Sequence, residues 1–254
     1  LFGLTNSCAL FIIVNMRIIW RTPPPALLQD VGLVCLADGI VGVSFGATSV
    51  SGGLAWWVPV ALSVLVFAGG AQIAAVGVVL AGGSPVAAVL AGAVLNTRLF
   101  AYGFAVADVV RPADPGARGG PAAAVRRWLT RLLGTHVITD ESVAFALRQP
   151  DPARRRSAFW GCGVGLFVIW NMSVLLGVAL GSTVRDTGAF GLDATFPAVM
   201  LALALPTLTA RPTRIAAGAG AVIAVALTPV LPAGLPLLAA LGGLATRWRG
   251  GGKR

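Results

Sequence analysis

An all-α, polytopic membrane fold, with about six to eight hydrophobic segments of the kind that span a bilayer, is predicted by three features of the sequence. The first is composition: the 254-residue chain is 57% hydrophobic and 11% charged, with a mean hydropathy of +0.86. Soluble domains are roughly 45–50% apolar and 25% charged, so this chain has too little charge to solvate a globular surface. A soluble enzyme is excluded on that ground, and a disordered chain is excluded by the high apolar content. The second is segregation of charge: between Val31 and Ala107 only Asp38 and Arg98 are charged, and between Ile215 and Thr246 nothing is. The third is the presence of several apolar runs near the ~20 residues that a helix needs to cross a bilayer.

The chain divides in order as follows. Met16 is the first methionine, and residues 1–15 hold only a short apolar stretch interrupted by Asn6 and Asn15. That stretch is expected to be a non-native extension, because a signal peptide carries charge before its apolar core. Residues 16–249 read as one transmembrane domain and 250–254 as a basic tail. The apolar segments are 31–51, 54–82, 85–107, 157–181, 192–209, 215–231 and 233–246, with a weaker one at 132–147. The 19 Lys+Arg against 9 Asp+Glu leave a net charge of +10. Five arginines of that excess lie in 111–131, within the basic loop 108–131, and four in 148–156. Basic residues between membrane segments mark cytoplasmic loops, so no nucleic acid partner is expected; the partner surface is the lipid bilayer.

Keeping every basic stretch on the cytoplasmic side requires segment 54–82 to enter and return on one side. It is 29 residues long with Gly69-Gly70 near its middle, and glycine most readily lets a helix break. The same parity makes 132–147 re-entrant or interfacial and makes 215–231 and 233–246 a short pair. Simple crossings with an imperfect charge rule are the alternative. Trp56, Trp57, Trp128, Trp160 and Trp248 lie at the ends of apolar runs, as an aromatic belt would. The pairs Gly42/Gly46, Gly161/Gly165 and Gly177/Gly181 have the spacing that lets helix backbones approach closely. Cys8, Cys35 and Cys162 form no C-x-x-C pair, so neither a disulfide nor a zinc site is expected.

Polar groups in a bilayer centre cost about 2.5–3.5 kcal/mol each when charged, so the few present carry information. In Phe67-Ala68-Gly69-Gly70-Ala71-Gln72, a broken helix would offer N–H groups to a carboxylate; close packing, with Gln72 bonded to a neighbour, is the alternative. In Asn96-x-Arg98-x-x-x-Tyr102, Arg98 and Tyr102 share a helix face, with Asn96 on another. Arg98 suits a substrate carboxylate or an ion pair with Asp38 or Asp140. Thr139-Asp140-Glu141 offers a proton-carrying carboxylate, or a helix cap from Thr139 or Asp140. Asp38 lies well inside its run, whereas Asp193 begins one. Gly42-Val43-Ser44-Phe45-Gly46 matches the G-x-S-x-G nucleophile pattern, but that motif needs a strand–turn–helix setting, which a spanning run does not provide. No nucleotide, cofactor or metal motif is present.

Taken together, Phe67-Ala68-Gly69-Gly70-Ala71-Gln72, Asn96-x-Arg98 with Tyr102-Gly103, Thr139-Asp140-Glu141 and Gly191-Leu192-Asp193…Phe196-Pro197-Ala198 resemble the AzlC family, the large subunits of bacterial branched-chain amino acid exporters. The resemblance runs over about residues 16–249. It implies a multi-pass protein of the bacterial inner membrane, acting with a small hydrophobic AzlD-like subunit and exporting Leu, Ile, Val or other small neutral amino acids, driven by protons. Where the family commonly has Pro-Phe-Gly in its first helix, this chain has Asp38-Gly39-Ile40 and Val43-Ser44-Phe45-Gly46.

The functional expectation is therefore a secondary transporter and not an enzyme. Gly69, Gly70, Gln72, Asn96, Arg98 and Tyr102 are the expected substrate-binding residues. Asp38, Asp140 and Glu141 are expected to bind the ammonium or exchange the proton, with Phe67 and Phe100 accepting the aliphatic side chain. The alternatives are an exporter or channel for another small solute, and a non-transporting membrane scaffold subunit.

Overall fold

The computed structural model describes residues 25–110, 121–183, 208–232 and 235–246. Helix accounts for 84% of these residues, and no strand occurs among them. The expected N-terminal extension, residues 192–207 of segment 192–209 with Asp193, residues 111–120 of the basic loop, Trp248 and the basic tail lie outside the described residues. In order, the helices are α1 Pro25–Ser51, α2 Trp57–Leu65, α3 Gly69–Leu80, α4 Pro85–Asn96, α5 Arg98–Ala105, α6 Ala107–Val110, α7 Pro121–His136, α8 Asp140–Leu147, α9 Pro152–Thr183, α10 Arg211–Leu227 and α11 Leu235–Ala239, followed by a 3-10 turn, Ala240–Leu244.

Among the described residues, three helices are long and apolar enough to cross a membrane: Leu27–Ser51, Pro85–Ala105 and Pro152–Ser182. They correspond to predicted segments 31–51, 85–107 and 157–181. The second combines α4 and α5 through Thr97, whose backbone stays helical. Local sequence sets the ends of these elements. Gly53 takes φ +99° just past α1, and the N–H groups of Gly53 and Leu54 return to the carbonyls of Val50 and Ser49. Gly82, at φ +79°, ends α3 in the same way with Gly83. Both are Schellman caps, in which the left-handed position suits glycine because it has no Cβ. Ser84 then accepts the Ala87 N–H at 3.2 Å and starts α4 ahead of Pro85.

The chain forms two compact units by contact: residues 1–40 with 97–172, and residues 41–96 with 173–254. In the first, α5 is tied to α9 by Arg155, whose guanidinium donates to the Ala105 carbonyl and lies 3.5 Å from Asp108. The end of α7 packs tightly: a Cβ on Gly134 would meet Val110 at 2.9 Å and Trp160 at 3.3 Å, and one on Gly163 would meet Val137 at 3.0 Å. Phe159, Cys162 and Leu166 are buried on α9. Trp160 is buried too, edge-on to Phe159, and therefore does not belong to the aromatic belt expected of it. Trp56, Trp57 and Trp128 are exposed.

In the second unit, α3 and α4 make a helical hairpin around Val78, Ala87, Ala88 and Ala91. The C-terminal part of α1 meets that of α9 through glycines: Gly46 against Val174, Gly177 against Val43, and Gly181 against Ala47. This is the close approach that the Gly42/Gly46 and Gly177/Gly181 spacing predicted. A similar contact joins α10 to the 3-10 turn, through Gly220 and Ala240 and through Gly243 and Ala216.

Segment 54–82 is two helices, with a correction to where they separate. The break falls at 66–68, not at Gly69-Gly70, and the left-handed residue is Phe67 at φ +42°. The two glycines form the first turn of α3 instead. A left-handed non-glycine residue is unfavourable by about 1–2 kcal/mol. Burial of the Phe67 ring, 6% exposed, and a clamp from Gln72 hold it there. At 9 and 12 residues, each half-helix is too short to cross ~30 Å alone at 1.5 Å per residue.

Candidate functional site

The site residues named from sequence divide between the two units. Asp38, Arg98, Tyr102, Asp140 and Glu141 fall in the first; Gly69, Gly70, Gln72 and Asn96 fall in the second.

In the first unit the spacing of Arg98 and Tyr102 places them one turn apart on α5. Opposite them, α7 stops at His136 and α8 starts at Asp140, and the connection is fixed by a reciprocal cap. The Thr139 hydroxyl accepts the Ser142 N–H at 3.1 Å, the Ser142 hydroxyl accepts the Thr139 N–H at 2.9 Å, and the Ser142 hydroxyl donates to the Val137 carbonyl at 3.0 Å. Thr139 is thus the cap anticipated as one reading of this motif. The cap leaves Asp140 and Glu141 as the first two residues of α8, where a carboxylate is favoured by the partial positive charge of a helix N-terminus.

Asp140 uses this position to meet α5. Nη1 of Arg98 lies 2.7 Å from Oδ2 of Asp140. The hydroxyl of Tyr102, the single tyrosine of the chain, hydrogen-bonds to the same carboxylate. Both members of the ion pair remain accessible, at 44% and 38% of the side chain. Asp38, half-buried near the middle of Leu27–Ser51, is within electrostatic reach of Glu141 and Asp140. Three carboxylates thus lie close together here, and one of them, Asp140, pairs with the Arg98 guanidinium. Among the described residues no three His, Cys, Asp or Glu side chains are arranged to hold a metal ion. His136 meets Phe167 edge-on, with ring centroids 5.6 Å apart.

In the second unit Gln72 is 1% exposed, and its Nε2 donates to the Leu62 carbonyl at 3.1 Å. That carbonyl also accepts the N–H groups of Val66 and Phe67. Gln72 therefore ties the second half-helix to the frayed end of the first, so at least one of its amide groups serves the break itself. The Asn96 Oδ1 is buried without a hydrogen-bond partner. Phe67 is buried at the break, and Phe100 is 76% exposed.

A cavity of about 110 Å³ lies between α1 and α3, lined by Val41, Phe45, Ile73, Val76 and Leu80 among others. The G-x-S-x-G stretch is interior helix in α1, with Ser44 buried, so the setting that a nucleophilic serine requires is absent there. Ser142 is the residue that sequence reasoning overlooked. It is fully buried and completes the cap that places Asp140, and the Thr-x-x-Ser spacing before an apolar run was its signal.

A family model described as AzlC protein matches residues 34–184. The matched region contains Asp38, the 69–72 and 96–102 motifs and Thr139-Asp140-Glu141. No curated protein and no solved structure matches the chain.

Proposed function

The chain belongs to the AzlC family, a transporter-type family associated with branched-chain amino acid transport, and we propose that it is the large subunit of a proton-coupled exporter of branched-chain or other small neutral amino acids. The observation that carries this reading is the arrangement of Arg98, Tyr102 and Asp140, with Asp38 and Glu141 nearby. Ionisable groups within membrane segments are rare and mark solute or proton pathways. A guanidinium and a phenol on one helix face suit a carboxylate, whereas carboxylates suit an ammonium or a proton. A zwitterionic amino acid needs both.

In this reading Arg98 and Tyr102 hold the substrate carboxylate and Asp38 faces the ammonium. Asp140 or Glu141 exchanges the proton. The chain works in the bacterial inner membrane with a small hydrophobic AzlD-like subunit. Apolar contacts select the side chain only modestly, since one methylene is worth about 1–3 kcal/mol.

The test is efflux of preloaded labelled leucine from cells carrying the chain, with and without the small subunit and with and without a protonophore. Efflux that needs both subunits and collapses with the proton gradient is expected. Arg98→Ala is expected to abolish export while its level in the membrane is unchanged; normal export by that variant would remove Arg98 from the site. A scaffold subunit would give no efflux in any arm.

A further inference from the structure

We infer that Asp140 is the resting occupant of a carboxylate clamp formed by Arg98 and Tyr102, and that the carboxylate of the transported solute displaces it. The inference rests on the transport reading above but concerns how the site is gated and which solutes it admits. Two donors one turn apart on α5 converge on one carboxylate, supplied by a different helix 38 residues later. Those are the donors that a free amino acid carboxylate would need.

The accessibility of the pair favours a displaceable occupant. A buried structural pair would be shielded by its neighbours, but these two side chains are 44% and 38% exposed. The guanidinium carries five N–H donors, and the contact from Nη1 to Oδ2 uses one of them. Donors therefore remain for an incoming carboxylate before Asp140 departs. Exchanging one carboxylate for another on the same donors changes the energy little, as a site that must release its solute requires.

The surroundings then define the solute class. Asp38 and Glu141 stand close enough to Asp140 for their charges to interact. A displaced Asp140 stands beside Glu141 without its cation, and a solute that brings positive charge is favoured to displace it. The clamp thus admits zwitterionic amino acids. It rejects monocarboxylates, which bring no cation, and it rejects plain amines, which cannot displace Asp140.

The experiment uses the full chain together with the small subunit in lipid nanodiscs and reads two quantities. The first is leucine affinity for the wild type, Asp140→Asn, Arg98→Gln and the exchanged double variant Arg98→Asp/Asp140→Arg. The second is labelling of Asp140 by a hydrophobic carbodiimide, read by mass spectrometry, with leucine, isovalerate or isoamylamine added.

Removing the internal competitor raises the fraction of open clamps. Asp140→Asn is therefore expected to bind leucine about tenfold more tightly if roughly a tenth of wild-type clamps are open. Arg98→Gln is expected to lose binding. Leucine is expected to raise Asp140 labelling, and the other two solutes are not. Unchanged or weaker binding by Asp140→Asn overturns the clamp. So does full recovery by the exchanged double variant, which is what a structural ion pair between α5 and α8 predicts.

The two readings also fail separately. If wild-type cells export leucine but leucine leaves Asp140 labelling unchanged, the clamp falls and the transport reading stands. If leucine binds no form of the chain while isovalerate raises Asp140 labelling, the amino acid reading and the zwitterion rule both fall. If no solute raises the labelling, the clamp is refuted whatever the chain transports.

Discussion

Replacing Gly177 with alanine places a methyl group where α9 crosses α1. Its Cβ would stand 2.1 Å from the Val43 carbonyl oxygen, 2.9 Å from the Val43 carbonyl carbon and 3.0 Å from the Ala47 nitrogen. All three are backbone atoms, so no side chain can rotate away. Ordinary contact begins near 3.4 Å, so the helices must part by about 1.3 Å along the closest approach. A gap of 0.5–1 Å already forfeits about a quarter to a half of a dispersion contact. The loss extends to Gly46 and Gly181 on the same seam.

Overpacking of this kind destabilises by about 1–3 kcal/mol, and the rigid backbone places Gly177→Ala at the upper end. The gain of about 1 kcal/mol from replacing helical glycine with alanine offsets part of it. A net loss of about 1–2 kcal/mol lowers Tm by roughly 2–8 °C for a chain of this size.

The assay is thermal unfolding in detergent with a thiol-reactive fluorophore in a Cys8→Ser background. The buried free thiols of Cys35 and Cys162 then report exposure. Gly77→Ala is the control: nothing lies within 4 Å of the added methyl, and Tm should hold or rise. Equal Tm values for the two variants would refute a backbone contact between α1 and α9.

Three further outcomes are expected. Thr139→Ala removes the cap of α8 and should lower stability by about 1 kcal/mol, read as a Tm fall of a few degrees. Gln72→Leu removes the donor that holds the Leu62 carbonyl. It should destabilise by about 1–3 kcal/mol through the polar group left behind, with Tm again the measure and an unchanged value counting against the tie across the break. Ser84→Cys, at the exposed turn after α3, should react with a membrane-impermeant maleimide from the side opposite the cytoplasm. Reaction only from the cytoplasmic side would sink the re-entrant reading of 54–82.

Features set by local sequence were the most legible. Composition and charge placement anticipated the three membrane-length helices, because exclusion of charge from hydrocarbon acts residue by residue. Glycine spacing anticipated the seam at Gly46, Gly177 and Gly181 for the same reason: the absence of a Cβ is a local property. The break in 54–82 was legible as an event but not as a position. Gly69 and Gly70 lower the barrier to breaking a helix, whereas the actual break at Phe67 is held by a buried ring and by an amide ten residues from its acceptor. Non-local partners of that kind leave no periodic trace.

The candidate site shows the same division. That Arg98 and Tyr102 share a face follows from helix geometry. That Asp140, rather than Asp38, is the ion-pair partner of Arg98 depends on a contact between helices far apart in sequence. Gln72 was named for its polarity within an apolar run, and its amide braces the backbone at the break. Sequence could offer both roles for it but could not decide between them.

The single tyrosine has one more consequence. Because Tyr102 is the chain's only phenol and its hydroxyl rests on Asp140, growing the protein on fluorinated tyrosine installs one ¹⁹F nucleus with no background from the rest of the polypeptide. Its resonance would register whether the neighbouring carboxylate is present, absent or exchanged, without a genetic change to the site. The molecule thus carries its own spectroscopic probe at the place where its charges meet.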